Sequence, residues 1–341
     1  MKFLLLLYIF FLYFIVFEIF RYISDIFYLA EVLMSIKKIA IVSNLRMMLI
    51  FLLINDNRYD DILFILDGDL NIRNENKLRY LIKVKRATSK FKLLKNKFKY
   101  FFIFTKLTRM LSLKNIPVYG ADHITGAAFF LKRNPFFVIE DGFINYIDKA
   151  YHRTLKNRIF SVPLFGMHNT VKKIYLTKNN NIPDVIKNKV ELIDLLLLWK
   201  SKANDKREEI LDFFGLNPDK LQSLRLKRFI LFTQPLSEDG IISENEKIEI
   251  YRSIINNYNS KYLIIKTHPR EKTDYEIYFE DVYVLKVNYP SELFMLNGIF
   301  FERIITLFST AVLQYDKSII DFYGTEVNPK LLLHFGNIRL D

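Results

Sequence analysis

The sequence predicts an α/β protein built from two halves, each with a parallel sheet and covering helices. Three observations lead there. Short apolar, β-rich runs alternate with helical stretches in both halves of the chain. A polar, helical stretch containing Gly215 and Asn217-Pro218 separates the two. The length of 341 residues suits two domains at roughly 100–200 residues each. Two such halves imply a cleft between two sheets.

In chain order, Phe3 to Phe17 is wholly apolar and Glu18 is the first interruption. As a helix, Phe3–Phe20 would span about 27 Å, close to a bilayer core of ~30 Å. A cleaved signal peptide fits poorly, because one basic residue precedes the run and the first alanine is Ala30. Residues 1–36 therefore read as an uncleaved anchor or extension. Arg21, Lys37 and Lys38 follow it while only Lys2 precedes it. The positive-inside rule then places the rest at the cytoplasmic face of the inner membrane.

The first α/β domain is expected over 37–200. Ile39–Ser43 reads as a strand, Leu45–Ile54 as an apolar helix and Asp61–Leu66 as a second strand, which together form a βαβ unit. The basic stretch Lys83–Lys99 reads as an amphipathic helix with a solvated face, or one laid against anionic lipid. Tyr100–Phe104, Pro117–Tyr119, Phe136–Ile139 and Ile174–Leu176 read as strands, with a helix at Thr125–Leu131. Val185–Trp199 has helical period. Residues 201–226 form the helical connection, and a second α/β domain follows over 227–341. There Phe229–Thr233, Tyr262–Lys266, Val282–Leu285 and Ile304–Leu307 read as strands. Ser243–Tyr258 is a helix opened by a capping box of Ser243 and Glu246, and another helix starts at Thr310.

Composition narrows the chemistry. With no cysteine there is no disulfide, zinc-thiolate site or cysteine nucleophile. The net charge of +13 suits nucleic acid, anionic lipid or a phosphorylated substrate. No RNP, KH or zinc-finger pattern supports nucleic acid, so none is expected as a partner.

In open α/β sheets, ligands sit outside the carboxyl ends of the strands. Four polar clusters fall there: Glu140-Asp141-Gly142, Glu238-Asp239-Gly240 after Thr233-Gln234-Pro235, Lys266-Thr267-His268-Pro269-Arg270, and Phe308-Ser309-Thr310. Each alone reads most simply as a turn, a cap or a loop histidine. Together they suit group transfer. A carboxylate can take a proton from an acceptor hydroxyl, and a histidine can protonate a phosphate leaving group. Ser309 and Thr310 at a helix start would seat that phosphate, with Lys266 and Arg270 adding positive charge. Asp67-Gly68-Asp69 ends a strand in a turn rather than offering a metal motif, so neither metal nor cofactor is expected.

These residues resemble glycosyltransferase family 52, the bacterial lipooligosaccharide sialyltransferases. Glu140-Asp141-Gly142 matches the family's acidic-acidic-Gly motif, His268-Pro269 its His-Pro motif, and Ser309-Thr310 its Ser/Thr motif. Pro290-Ser291-Glu292 matches a Pro-x-Glu element, and Pro117–His123 and Thr233–Leu236 are also similar. The resemblance implies a GT-B-like pair of Rossmann-type domains and inverting, metal-independent transfer. The implied donor is CMP-sialic acid and the implied acceptor a terminal galactose of a glycolipid or oligosaccharide. It makes Asp141 the base, with Asp239 the rival, and His268 the acid. Ser309 and Thr310 would hold the phosphate, and Glu292 the ribose. Pro269, Lys266, Arg270 and Gln234 complete the donor side. Val42–Arg46 departs from the Thr-Pro-Leu-Gln-like turn expected after the first strand. A related transferase using another nucleotide sugar, for example a glucosyltransferase, is the nearest alternative. A membrane-tethered protein that binds glycans or anionic lipid without turnover is another. A homodimer and contact with inner-membrane lipid are further expectations.

Overall fold

The computed structural model describes residues 36–55, 59–67, 70, 72–84, 99–100, 103–105, 114–124, 126–146, 163–178, 182–268, 270–285, 289–309, 311–312 and 315–340. The expected anchor at 1–35, Lys85–Lys97 of the basic stretch, Pro269 and Thr310 lie outside these. Among the described residues no helix is long and apolar enough to cross a membrane. The chain divides into two compact units. The first runs to Asn71 and resumes over Glu75–Lys202; the second joins Ile72–Asn74 to Ala203–Asp341.

The first unit carries a wholly parallel sheet of seven described strands. They are β1 (Lys38–Val42), β2 (Ile62–Asp67), β3 (Tyr80–Val84), β4 (Val118–Gly120), β5 (Phe136–Ile139), β6 (Val171–Leu176) and β7 (Val190–Leu192). Their order, β3-β2-β1-β4-β5-β6-β7, reverses direction between β1 and β4. That switch point is where a ligand crevice forms in such sheets. Ile39 to Val42 are fully buried, as a central parallel strand covered on both faces requires. Helix α1 (Leu45–Ile54) follows at once and buries every residue from Met47 to Leu53. The Asn44 side chain caps it by accepting from the Met47 N–H at 2.9 Å. Helices α2 (Ala127–Leu131) and α3 (Leu195–Ser201) belong to the same unit.

The second unit repeats the scheme with β8 (Phe229–Phe232), β9 (Leu263–Lys266), β10 (Tyr283–Leu285), β11 (Arg303–Thr306) and β12 (Ile320–Phe322). All pair in parallel, ordered β10-β9-β8-β11-β12, so the switch falls between β8 and β11. Its described α-helices are α4 (Asn204–Phe213), α5 (Pro218–Arg225), α6 (Glu244–Ile255), α7 (Glu292–Leu296) and α8 (Pro329–Phe335). The capping box of α6 is present, with Glu246 accepting from the Ser243 N–H at 2.9 Å. Tyr251 of α6 shares one buried core cluster with Leu231, Ile265 and Ile305.

Three readings of elements are corrected. Residues 99–100 and 103–105 are helical, not a strand, and Phe104 packs edge-on against Phe130 of α2. Lys83 sits on β3 rather than on a helix, paired with Glu75 at 2.5 Å. Val190–Leu192 is an edge strand, because Asp194 caps α3 through the Leu196 N–H and delays the helix to Leu195. After Ser309 the described residues 311–312 are in 3-10 conformation, and the rest of the expected start of a helix at Thr310 lies outside the described residues.

Candidate active site

In the first unit, the ends of three neighbouring strands bring together Ser43-Asn44 after β1, His123 beyond β4 and Glu140-Asp141 after β5. Asp141 is the centre of the group. Its Oδ1 accepts from the Ser43 hydroxyl at 3.1 Å and from the Asn44 amide. Its Oδ2 lies 3.1 Å from His123 Nε2. Its own N–H donates to Asn145 Oδ1 at 2.7 Å. Asp141 and His123 both keep a solvent-exposed edge.

Glu140 has a different task. It is buried, and its carboxylate takes the Arg46 guanidinium at 2.6 Å, the Tyr146 hydroxyl at 2.9 Å and the Thr177 N–H at 2.6 Å. Burial, reinforced by that carboxylate, pushes the Tyr146 hydroxyl up to about 12, so it stays a donor. Glu140 thus ties the end of β5 to α1 and to the end of β6.

His123 is held as well. Its ring stacks on Phe165 with centroids 4.7 Å apart. Phe165 has a φ of +57°, and its N–H and that of Gly166 donate to the buried Asp122 carboxylate at 2.8 and 2.7 Å. Burial raises Asp122, while those N–H groups and His123 oppose the rise. The Nδ1 of His123 is buried with no hydrogen bond and sits 4.0 Å from Asp122 Oδ1.

In the second unit, the strand ends carry Thr233-Gln234 after β8, Thr267-His268 after β9 and Ser309 beyond β11. His268 Nδ1 accepts from the Arg270 N–H at 3.2 Å. A neutral ring accepting there carries its proton on Nε2. Burial lowers the His268 pKa, the neighbouring Arg270 and Lys266 lower it further, and Asp239 and Glu238 oppose them. Burial also lowers Lys266, to about 8, against the pull of Glu292. The Lys266 ammonium lies 5.7 Å from the Tyr289 ring centroid.

Gln234, Ser309 and Arg270 of the expected donor side have structural partners. Gln234 bridges the switch point, accepting from the Phe308 N–H at 3.1 Å. Its own N–H donates to the Tyr251 hydroxyl at 2.8 Å. Ser309 Oγ accepts from the Ala311 N–H at 3.3 Å. Arg270 forks onto both oxygens of Asp239, with Nη2 at 3.0 Å from Oδ2. Glu292 opens α7 and is buried. Among the described residues no cluster of His, Asp and Glu is arranged to hold a metal ion.

The sequence reading brought forward Asp141, Glu140 and His268, and the strand ends do carry them. It did not assign a role to His123, although the stretch Pro117–His123 stood out. It also missed Glu271 and Lys247, which support the His268 loop from behind. A Glu three residues after a strand-end His was the available signal for Glu271.

The sequence profile of glycosyltransferase family 52 matches residues 60–331. A protein of Haemophilus influenzae, itself uncharacterised, is 47% identical over 308 residues, covering 89% of this chain and 100% of that protein. The GT-B domain of a Photobacterium damselae sialyltransferase is similar in structure, with a TM-score of 0.55 at 13% identity. That likeness covers 84% of this chain and 90% of the other. An alpha/beta-galactoside alpha-2,3-sialyltransferase from Photobacterium phosphoreum gives 0.51 at 11% identity, covering 87% and 93%. At such identities the structural likeness establishes the GT-B-like fold.

Proposed function

The chain belongs to glycosyltransferase family 52, and from that premise we propose that it moves sialic acid from CMP-sialic acid to a terminal galactose of a bacterial lipooligosaccharide or surface glycan. The acceptor hydroxyl oxygen attacks the anomeric carbon, and the bond from that carbon to the phosphate oxygen breaks with inversion. The hydroxyl proton goes to Asp141. His268 donates a hydrogen bond from Nε2 to the departing phosphate oxygen and stabilises the charge that develops there, its ring staying neutral, so CMP leaves without a resident metal. Lys266 and Arg270 supply positive charge to the donor phosphate, Ser309 and Thr310 hydrogen-bond it, and Glu292 accepts from the ribose hydroxyls.

The observation that carries this reading is His268. It ends a parallel strand beside two cations, with Nδ1 occupied by a backbone N–H and the proton left on Nε2. A preorganised hydrogen-bond donor aimed at the charge that develops is worth on the order of 10²–10³-fold. His268→Ala is expected to lose about that factor in transfer from CMP-sialic acid, followed as CMP release with a galactoside present, and EDTA is expected to leave the wild type unaffected. Wild-type turnover in His268→Ala would remove the assigned role.

A further inference from the structure

Behind the His268 loop lies a charged knot that the transfer step does not use. Lys247 of α6 is completely buried. Its ammonium reaches Glu238 Oε2 at 2.9 Å, Glu244 Oε2 at 3.2 Å, Thr273 Oγ1 at 2.5 Å and Glu271 Oε1 at 4.0 Å. Glu238 in turn accepts from the Lys272 N–H at 2.6 Å. Burial works against the Glu238 charge, yet that N–H and Lys247 hold it down at about 2.

Glu271 is the arm of this knot that reaches the site. Its Oε2 accepts from the His268 N–H at 2.6 Å and from the Thr233 hydroxyl at 2.5 Å. Its Oε1 accepts from the Tyr275 hydroxyl at 2.7 Å. Its own N–H donates to the His268 carbonyl at 2.9 Å. Thr233 and His268 follow the ends of the paired strands β8 and β9. One buried carboxylate therefore clamps two strand ends and closes the turn that presents the Arg270 N–H to His268 Nδ1.

We propose that Glu271, anchored by Lys247, is a positioning residue that sets the tautomer and tilt of the His268 ring. It touches no substrate and acts through the main chain of the histidine. The importance of that ring for transfer rests on the reading of His268 as the hydrogen-bond donor to the leaving phosphate, whereas the clamp itself does not.

The test uses the full chain labelled with 15N-histidine. Five histidines are present, and the His268→Ala spectrum identifies the one in question. Wild type should show neutral His268 protonated at Nε2. Glu271→Ala should show a mixture of tautomers. Glu271→Gln should stay close to wild type, because its amide oxygen still accepts from the His268 N–H. In transfer from CMP-sialic acid, Glu271→Ala should lower kcat on the order of 10–100-fold. The donor KM should stay within about twofold, the split expected when positioning rather than ground-state binding is lost. In the His268→Ala background, the same change should cost nothing further. An unchanged tautomer in Glu271→Ala, or an equal loss in both backgrounds, would overturn the proposal. If Glu271→Ala does not fold, Glu271→Asp, whose shorter side chain draws the carboxylate back from the His268 N–H, is read by the same spectrum and cycle. Full activity in His268→Ala would instead strike the functional reading, and the tautomer spectra would still decide whether Glu271 positions the ring.

Discussion

Glu140-Asp141-Gly142 in the first unit and Glu238-Asp239-Gly240 in the second are the same tripeptide. Both glycines have left-handed φ, +73° and +71°, and a Cβ at either would meet nothing within 4 Å, so the backbone rather than packing asks for glycine. In both turns the first acid is an anchor, Glu140 to Arg46, Tyr146 and Thr177, Glu238 to Lys247 and the Lys272 N–H. The second acids differ in what faces them. Asp141 meets an imidazole and neutral donors, whereas Asp239 meets a guanidinium on both oxygens. An imidazole can change its protonation when the carboxylate takes a proton; a guanidinium stays charged. In the proposed reaction it is the neighbours, not the tripeptide, that favour Asp141 over Asp239 as the base.

The largest effect that would break this contrast is on turnover. Asp141→Asn should lower transfer on the order of 10²–10⁴-fold. Asp239→Asn loses only a half-exposed ion pair, about 1 kcal/mol or a factor of ~5 in donor handling. Equal losses would erase the distinction. The two anchors should separate in stability. Glu140→Ala leaves Arg46 and three donors without their acceptor and should cost about 3 kcal/mol or more in urea unfolding. Glu238→Ala leaves Lys247 with Glu244 and Glu271, and about 1–2 kcal/mol is expected. The smallest effect is in pH. Lys266 holds its proton below about 8 and loses it above. The donor KM should therefore rise as pH passes through 8, and Lys266→Met should flatten that limb.

Much of the fold was legible because central parallel strands are continuous apolar runs. Ile39–Ser43, Phe136–Ile139, Phe229–Thr233 and Tyr262–Lys266 each fall on a strand to within about two residues, the usual slack at element ends. Of the four described edge strands only β10 was legible, in Val282–Leu285. In β7 both Glu191 and Leu192 are exposed, and the Leu-rich stretch after it carries a helical period that hides the Asp194 cap. β3 and β12 are likewise short or partly polar, so only pairing to a neighbour makes them strands. For the site, the strand-end positions of Asp141 and His268 could be read from the runs before them. The contacts of His123 with Asp141 and of Glu271 with His268 could not. The first joins residues that only the β4–β5 pairing makes neighbours, and the second depends on the shape of a turn.

The most direct measurement is the mass of the product formed when the protein is offered an acceptor galactoside with CMP-sialic acid and, separately, with UDP-sugars. The account predicts a product heavier by one sialyl residue with CMP-sialic acid, and none with the UDP-sugars. A hexosyl product from a UDP-sugar, with CMP-sialic acid left intact, would contradict it.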